Sequence, residues 1–341
     1  MGKMPKIFLS ILFQVIMNKL RFIDLFAGVG GIRLGFERAC KSHDITTECV
    51  LSSEIDDKAC ETYIKNFYEN PKLDITEINE TDVPDCDVVL AGFPCQAFSI
   101  AGKRGGFEDT RGTLFFDVAR IIKEKHPKMF LLENVKGLLN HKSGKTFETI
   151  INVLRDELNY DVHYAVLNAK YFGVPQNRER VYIVGFDRHI DFLFPEQIND
   201  DSCLYDIIEE CCVDEKYYIS EQYYDTLKRH KERHKAKGNG FGYEIRPMTG
   251  IANAVVCGGM GKERNLICDT RQNNLSESKN KDLIRKMTPR EWERLQGFPD
   301  DWTAGIADTH RYKQMGNSVA VPVINAVINK MLDCYENSRR T

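Results

Sequence analysis

Long apolar runs and a strong net charge are both missing from this sequence. No apolar run reaches the length of about 18 residues that a membrane-spanning helix needs, so we expect no membrane association. The chain of 341 residues carries 47 basic and 50 acidic residues, a net charge of −3. It therefore has no global basic field, and any contact with a nucleic acid requires a local basic patch. With 42% hydrophobic residues and no repeat, a disordered or fibrous chain is excluded.

The eleven cysteines lack the spacing of a metal site or a disulfide framework. No C-x-x-C pair occurs and the count is odd, which argues against a zinc ribbon and against paired disulfides. His230 and His234 lie near Cys211 and Cys212, but adjacent cysteines are poor tetrahedral zinc ligands. We therefore expect no metal, reduced thiols and a cytoplasmic location.

The N-terminus contains an apolar stretch like that of a secretory signal peptide but lacks a cleavage site. Residues 7–17 are apolar between Lys6 and Lys19, yet no small-residue cleavage site follows, and a strand pattern begins at once. We expect translation to start at Met17, with residues 1–16 an upstream artefact or a loose apolar helix. An intact mass of the protein from its native locus that includes Met4 contradicts this expectation.

Short apolar runs alternate with amphipathic stretches through the first half of the chain. This alternation predicts βαβ units and an α/β fold with a mainly parallel sheet. A last helix is predicted after Gly316, with Ser318 as its N-cap. The predicted strands cover residues 21–26, 49–54, 87–92, 129–134 and 181–186, and two earlier helices cover residues 32–40 and 113–126.

A change in composition and periodicity along the sequence predicts a second domain. From about residue 190 the sequence is less periodic and richer in charge, tyrosine and glycine. We predict an N-terminal extension at 1–17, a catalytic and cofactor-binding domain at 18–189, a smaller irregular domain at 190–304, and a segment at 305–341 that completes the catalytic domain.

Polar or reactive residues recur at the ends of the predicted strands. They are the glycine-rich turn at 26–31, Glu54, Asp74, the segment Pro94-Cys95-Gln96, and the pair Glu133-Asn134. In parallel α/β sheets, ligands bind beyond the carboxyl ends of the strands. We therefore predict one active site along this edge.

The glycine-rich turn is an imperfect dinucleotide fingerprint, because Arg33 stands where the third glycine belongs. Its glycines still let a ligand approach the N-terminus of a helix. Glu54 follows Gly28 by 26 residues, a spacing suited to a ribose diol. The turn therefore favours an adenosine-containing ligand, with a plain strand-to-helix turn as the alternative.

Cys95 stands in the segment GFPCQ, ahead of a glycine-rich stretch suited to a mobile lid. A thiol at a loop–helix junction beside basic groups can act as a nucleophile, because its pKa is lowered there. Most free cysteines are buried core residues instead. The segment alone leaves both interpretations open.

Seven blocks of sequence, in order, resemble the DNA (cytosine-5) methyltransferase family, in particular its bacterial type II modification enzymes. The resemblance implies a Rossmann-like S-adenosylmethionine-dependent methyltransferase fold, with the domain at 190–304 recognising the target. The blocks are DLFAGVGG (24–31), GFPCQAFSIAGKRGGFED (92–109), RGTLFF (111–116), ENV (133–135), NAKYFGVPQNRERVYIVGF (168–186), MTPREWERLQGFPD (287–300) and YKQMGNSVAVPV (312–323).

The resemblance assigns the chemistry to four residues. Cytosine C5 is a weak nucleophile until a thiolate adds to C6, and Cys95 would be that thiolate. Glu133 would contact N3 and the exocyclic amine, supplying a proton or a hydrogen bond. Arg178 would contact the carbonyl oxygen of the base, and Arg180 would support Glu133 or the Pro94-Cys95 turn. In isolation, such carboxylates and arginines are more often surface groups.

The resemblance also implies S-adenosyl-L-methionine as the methyl donor and S-adenosyl-L-homocysteine as its product. Glu54 would hold the ribose hydroxyls, Asp74 and Ile75 would meet the adenine, and the C-terminal segment would close the pocket. The residues predicted to bind the donor are Phe26, Gly28, Gly31, Glu54, Ile55, Asp74, Ile75, Pro94, Asn317, Ser318 and Val319.

A target base inside a duplex must be flipped out of the stack before it can react. Residues 96–112 would close over the DNA, with Ser99, Lys103 and Arg104 as contacts. The segment at 190–285 would read the sequence, and its basic run at 228–237 would bind the backbone, through Lys228, Arg229 and Lys231. A solvated helix face is the alternative for this run.

These inferences predict methylation of cytosine C5 in a short double-stranded DNA sequence. We expect a monomeric enzyme, the modification arm of a restriction–modification system whose endonuclease acts separately. A tRNA cytosine-5 methyltransferase is one alternative, although the CFT tripeptide that marks those relatives is absent. A catalytically silent DNA-binding relative is the other, although such a protein has no need to keep Cys95, Glu133, Arg178 and Glu54 together.

Overall fold

Two compact units make up the described part of the chain. The computed structural model describes residues 19–94, 114–199, 201–272 and 275–338. Unit 1 contains the described residues up to Leu167, together with Arg180–Glu196 and the chain from Val323 onwards. Unit 2 contains Asn168–Glu179 and Gln197–Pro322.

The described residues contain ten strands and eight α-helices. The strands are β1 (Lys19–Leu25), β2 (Thr46–Ser53), β3 (Val88–Ala91), β4 (Met129–Val135), β5 (Asp161–Asn168), β6 (Gln176–Asn177), β7 (Glu179–Phe186), β8 (Ala252–Asn253), β9 (Leu266–Cys268) and β10 (Ile284–Lys286). The helices are α1 (Gly31–Ser42), α2 (Asp57–Phe67), α3 (Leu114–Lys125), α4 (Lys145–Asn152), α5 (Glu221–Ala236), α6 (Pro289–Leu295), α7 (Asp308–Asn317) and α8 (Val321–Ser338). None of the helices in the described ranges is long and apolar enough to cross a membrane.

A six-stranded sheet forms the centre of unit 1, with the strand order β2-β1-β3-β4-β7-β5. Strands β1 to β4 run parallel to one another, whereas β7 pairs antiparallel with β4. The prediction of an α/β fold with a mainly parallel sheet is therefore confirmed. Strand β5 is absent from the predicted strands, because His163 and Tyr164 interrupt its apolar pattern.

The apolar runs that predict the central strands form the core of unit 1. All four residues of β3 are buried, as are the first six of β4. Helix α3 buries Phe115, Val118 and Ile122, the residues that its sequence places on one face. Burial on both faces of a parallel strand explains why these runs are continuous rather than alternating.

The order of the strands places a switch point at β1. Strand β2 lies on one side of β1 and β3 lies on the other. Ligands bind beyond the carboxyl ends of the strands at such a point, where the direction of strand addition reverses. The glycine-rich turn follows β1 directly, and the segment Gly92-Phe93-Pro94 follows β3.

Unit 2 has much less regular structure. Its sheets are two-stranded: β9 pairs antiparallel with β10, and β6 pairs parallel with β8. The unit includes residues 168–179 and 305–322, which lie outside the predicted domain at 190–304, while residues 190–196 belong to unit 1. The assignment of a catalytic and a target-recognition domain stays a prediction.

The end of the chain differs from the prediction at one residue. The proposal that Ser318 is the N-cap of the last helix was wrong: Ser318 is the C-cap of α7, and its N–H donates to the Met315 carbonyl at 3.3 Å. Helix α8 begins three residues later, at Val321. The apolar face of this helix is buried, with Ile324, Val327 and Met331 at 0% exposure.

Candidate active site

The turn after β1 is held in a conformation that favours glycine. Gly28 and Gly30 have φ of 55° and 82°, in the left-handed region. The Gly30 N–H donates to the Ala27 carbonyl at 2.8 Å, and the Ala27 N–H donates to the Ser53 carbonyl at 2.9 Å, which ties the turn to β2. A Cβ on Gly30 would lie 2.1 Å from the Phe67 ring, so the turn has no room for a side chain there.

Three backbone N–H groups orient the carboxylate of Glu54. Oε2 accepts from Gly28 at 2.8 Å, while Oε1 accepts from Ile55 at 2.8 Å and from Asp56 at 2.7 Å. Each carboxylate oxygen has two lone pairs and can accept a further bond from a hydroxyl group. Beside it, the side chain of Ile55 is 63% exposed and offers an apolar surface.

Asp74 reaches the same edge because the chain returns along Glu54. The Glu54 N–H donates to the Pro71 carbonyl at 2.8 Å, and the Leu73 N–H donates to the Glu54 carbonyl at 3.2 Å. Asp74 comes next and caps the short turn Ile75–Glu77. Hydrogen bonds from the backbone N–H and the hydroxyl of Thr76 lower the pKa of the Asp74 carboxyl, which keeps it ionised.

The residues at this edge fit an adenosine-containing donor. Two fixed carboxylates, Glu54 and Asp74, provide acceptors for ribose hydroxyls and for an exocyclic amine. Ile55 and the glycine turn add an apolar surface and a close backbone approach. The structure thus connects Gly28, Glu54 and Ile55 by hydrogen bonds and brings Asp74 to the same edge. The other predicted donor-binding residues of unit 1 are Phe26, Gly31, Ile75 and Pro94, and their role at the donor stays a prediction.

Glu133 lies at the end of β4 beside Arg180 of β7. In the antiparallel register Glu133 pairs with Tyr182, so Arg180, two residues earlier, shares its face of the sheet. The Arg180 Nε lies 3.1 Å from Glu133 Oε1, and both side chains are nearly buried. A Cβ on Gly92 would lie 3.8 Å from Glu133 Oε2, which places the carboxylate next to the segment leading to Cys95.

Asn134 is a functional candidate whose contact the sequence did not predict. Its side-chain Nδ2 donates to the Phe93 carbonyl at 2.8 Å, and its Oδ1 accepts from the Val135 N–H at 2.8 Å. Asn134 therefore fixes the backbone two residues before Cys95. The signal available in the sequence was its position directly after Glu133, at the end of a strand.

Several predicted residues cannot be placed in this geometry. Cys95, Ser99, Lys103 and Arg104 lie outside the described residues, and the exposed Pro94 is the last residue described before them. Asn317, Ser318 and Val319 belong to unit 2, and their role at the donor stays a prediction. Lys228, Arg229 and Lys231 lie on α5, also in unit 2.

Arg178 is buried, with 3% of its surface exposed, and binds backbone carbonyls within unit 2. Its Nη1 donates to Val255 at 2.7 Å, and its Nη2 donates to Gly316 at 3.3 Å and to Ser318. Two buried glutamines reinforce the same assembly: Gln176 accepts from the Val255 N–H at 3.0 Å, and Gln296 donates to the Met315 carbonyl at 2.8 Å. These bonds favour a positioning role, and the predicted contact of Arg178 with the base oxygen stays a prediction.

Asp24 is a buried carboxyl behind the glycine-rich turn. Burial raises its pKa from 3.8 to about 7, although the nearby Arg33 guanidinium opposes the shift. Tyr63 donates to Asp24 Oδ2 at 3.3 Å, and Arg33 in turn donates to Tyr63 at 3.0 Å and to Glu69 at 2.6 Å. Within the described ranges, no group of three or more potential metal ligands occurs.

Comparisons with known proteins identify the family to which the chain belongs. The family model described as C-5 cytosine-specific DNA methylase matches residues 20–333. The chain is 55% identical over 332 residues to the Type II methyltransferase M.HpaII of Haemophilus parainfluenzae, covering 94% of this chain and 91% of that protein. It is 49% identical over 327 residues to the Type II methyltransferase M1.ScrFI of Lactococcus lactis subsp. cremoris, covering 94% and 80%.

Among solved structures, the methyltransferase EhMeth of Entamoeba histolytica aligns with a TM-score of 0.72 over 92% of this chain and 98% of its own. At 22% identity that likeness shows the fold alone, and it confirms the predicted methyltransferase-type fold. The resemblance carried by the seven sequence blocks is confirmed by the family match and by relatives at 55% and 49% identity. The chain therefore belongs to the C-5 cytosine-specific DNA methylase family and is a DNA cytosine-5 methyltransferase.

Proposed function

We propose that the enzyme transfers a methyl group from S-adenosyl-L-methionine to C5 of a cytosine within a short duplex DNA sequence. We further propose that it is the modification arm of a restriction–modification system. The names of the two relatives, both Type II methyltransferases, support this assignment. The endonuclease would act separately, and the methyltransferase would act as a monomer in the cytoplasm of a bacterial cell.

The observation that carries the proposal is the placement of Glu133 beside the segment before Cys95. Arg180 holds the carboxylate at 3.1 Å, and Asn134, the next residue, holds the Phe93 carbonyl at 2.8 Å. One strand end therefore fixes both the acid and the backbone that precedes the nucleophile. Catalytic groups need such fixed geometry, because small displacements cost large factors in rate.

In the proposed mechanism, the Cys95 thiolate adds to C6 of a cytosine flipped out of the duplex. Negative charge then spreads over the ring to N3, where Glu133 supplies a proton or a hydrogen bond. Arg180 fixes the orientation of Glu133 and stabilises the carboxylate that forms when Glu133 has given up its proton. After C5 has been methylated, the C5 proton passes to solvent and the C6–S bond breaks to release the Cys95 thiolate. The proton on N3 returns to Glu133, which restores the aromatic ring.

The residues at the glycine-rich turn would hold S-adenosyl-L-methionine. When bound, this donor supplies an electrophilic methyl group on a sulfonium ion, which C5 accepts. Glu54 would accept hydrogen bonds from the ribose hydroxyls, and Asp74 would accept one from the adenine amine. Asn317, Ser318 and Val319 would complete the site from the C-terminal segment, whose backbone Arg178 binds at Gly316 and Ser318.

The test uses purified protein, isotopically labelled S-adenosyl-L-methionine and unmethylated genomic DNA, followed by mapping of methylcytosine at base resolution. We expect methylation at one short recurring sequence. Cys95→Ser should abolish it, whereas the exposed Cys211→Ser, a matched control, should leave it unchanged. Incorporation into tRNA but not into DNA would instead support the tRNA alternative, and full activity of Cys95→Ser would overturn the mechanism.

A further inference from the structure

The basic run at 228–237 separates into two faces of helix α5. The run contains six basic residues and one acidic residue, Glu232, a net charge of +5 in a chain whose net charge is −3. Residues four apart lie on the same side of an α-helix. Arg229, Arg233 and Lys237 therefore share one side, and Lys231 and Lys235 share another.

Helix α5 packs on a small apolar core through one side. Tyr224 and Leu227 are buried there, together with Ile219, Leu266 and Ile284. Because these contacts use the side of Tyr224 and Leu227, the opposite side of the helix faces solvent.

Two of the basic residues contribute to this packing. The Lys228 ammonium lies 3.9 Å from the centre of the Tyr224 ring and 3.3 Å from Asp225 Oδ1. The Lys231 ammonium lies 4.7 Å from the centre of the Tyr243 ring. A Cβ on Gly242 would meet the Lys231 Cβ at 3.0 Å, so the stem of this lysine is also in close contact. Both lysines are therefore engaged by cation–π contacts within unit 2.

The other side of the helix leaves its cations available. Arg229, Arg233 and Lys237 are exposed. In the part of the chain that the structure describes, none of them lies within ion-pair distance of a carboxylate. The Arg229 guanidinium makes only long bonds of 3.4 Å, to the Asp225 carbonyl and the Thr226 hydroxyl. We call these three residues the cationic face of α5.

We propose that the cationic face of α5 binds the phosphate backbone of the DNA substrate, an inference that rests on the proposed function. Arg229 and Lys237 are eight residues apart, about 12 Å along the helix axis. The same length of duplex carries about seven phosphates on its two strands. Three cations at intervals of four residues can therefore reach successive phosphates, giving affinity and orientation without reading the bases.

A solvated helix with cations at its end is the alternative. Basic residues in the last turn interact favourably with the helix dipole, so they can stabilise α5 without any ligand. Two charge-matched double variants separate these explanations. Arg229→Gln/Arg233→Gln removes two charges from the cationic face, and Lys228→Gln/Lys231→Gln removes two from the packing side of the same helix.

The measurement is the affinity for duplex DNA between 50 and 200 mM KCl, by fluorescence anisotropy. One duplex carries the mapped methylation sequence and a second, of equal length, lacks it. We expect Arg229→Gln/Arg233→Gln to reduce the slope of log K against log[KCl] by about 1.8, or 0.9 per phosphate contact, on both duplexes. Over this fourfold range of salt, the affinity of the unsubstituted protein then falls about 12-fold more than that of the variant.

The packing-side variant should keep its slope, because its two lysines are engaged by the Tyr224 and Tyr243 rings within unit 2. An unchanged slope in Arg229→Gln/Arg233→Gln overturns the proposal, as does an equal reduction in both variants, which would indicate a general charge effect. If the double variant proves unstable, Arg233→Gln alone should reduce the slope by about 0.9. Failure of the unsubstituted protein to methylate DNA would contradict the proposed function instead, so the two failures are distinct.

Discussion

Unit 1 and unit 2 use their buried charges in different ways. In unit 1 the strands β3 and β4 are continuous buried apolar runs, and Glu133 stands at the end of one of them. In unit 2 the strands have only two or three residues, and Arg285, with 0% exposure, lies within the unit. Its guanidinium binds Asp269 at 2.7 Å, and Glu291 at 2.7 and 2.8 Å.

The difference indicates that buried charges serve catalysis in unit 1 and stability in unit 2. Where a sheet and an apolar core hold the fold, carboxylates at the strand ends are available for chemistry. Where strands are short, buried ion pairs connect the segments, and breaking one leaves an uncompensated charge. The same substitution, glutamate to glutamine, should therefore have its main effect on activity in unit 1 and on stability in unit 2.

The largest expected effect is on the activity of Glu133→Gln. The amide keeps the size of the side chain but cannot protonate N3, so we expect kcat to fall by about 10²- to 10⁴-fold. Arg180 is nearly buried and loses its charged partner in this variant, so the unfolding temperature must be measured to show that the variant is folded at the assay temperature. Steady-state methylation and thermal unfolding check both points. The matched control is Glu61→Gln, an exposed carboxylate on α2 paired with Lys58, and a Glu133→Gln protein with the original kcat would exclude the proposed acid.

The comparison of the two units also explains how much of each could be predicted from the sequence. The apolar runs of β3 and β4, and the polar residues Glu54 and Glu133 at strand ends, are local patterns that are visible within a few residues. They predicted the sheet and the edge at which the candidate site lies. The contact of Asn134 with Phe93 joins residues 41 apart, and no local pattern indicates it.

Unit 2 could be predicted only as an irregular region. Arg178 binds Gly316, 138 residues away, and in the sequence it looks like any exposed arginine. Arg285 and Glu291 lie within a charged segment whose pattern suggests solvent exposure, yet both are fully buried. Buried ion pairs of this kind depend on which distant segments contact each other in the folded chain. Hydrophobic periodicity is a local pattern and does not indicate those contacts.

The second prediction concerns Glu291→Gln in unit 2. This carboxylate accepts bonds from Arg285, from the Thr288 N–H at 2.7 Å and from the Glu209 N–H at 3.1 Å. Removing its charge leaves Arg285 buried with Asp269 as its remaining carboxylate, and we expect a loss of about 3 kcal/mol.

Urea unfolding followed by tryptophan fluorescence measures this loss selectively. The chain has two tryptophans, Trp292 and Trp302, and both lie in unit 2. Glu210→Gln, at an exposed neighbouring position, should change the free energy of unfolding by less than a surface ion pair contributes, about 0.5 kcal/mol. A Glu291→Gln protein as stable as Glu210→Gln would show that unit 2 does not depend on its ion pairs.

The third expected effect is a pH dependence confined to unit 1, from Asp24, which is spread over several pH units. In the folded protein burial raises the Asp24 pKa from 3.8 to about 7. Between these values the folded state keeps the proton and the unfolded state has lost it, so stability falls as the pH rises, by at most about 1.4 kcal/mol per unit. Above pH 7 both states are ionised and the dependence ends. Asp24→Asn should remove this slope and make unit 1 more stable at pH 8.

Hydrogen exchange of the β1 amides between pH 5 and 8, corrected for intrinsic exchange rates, reports on unit 1, and tryptophan fluorescence reports on unit 2 in the same samples. Asp85→Asn, at an exposed position in unit 1, is the control and should leave the slope unchanged.

Asp269 in unit 2 gives the contrast. Although burial raises its pKa, bonds from Arg271 and Arg285 hold the pKa well below its usual value, so it stays ionised across this range. If Asp24→Asn flattens the pH profile of unit 2 as well, or leaves that of unit 1 unchanged, the two units do not differ in how they hold a buried carboxyl. A change confined to unit 1 would establish that Asp24, on an apolar strand, is buried as the neutral acid below pH 7, whereas Asp269, between two arginines, is buried as the anion.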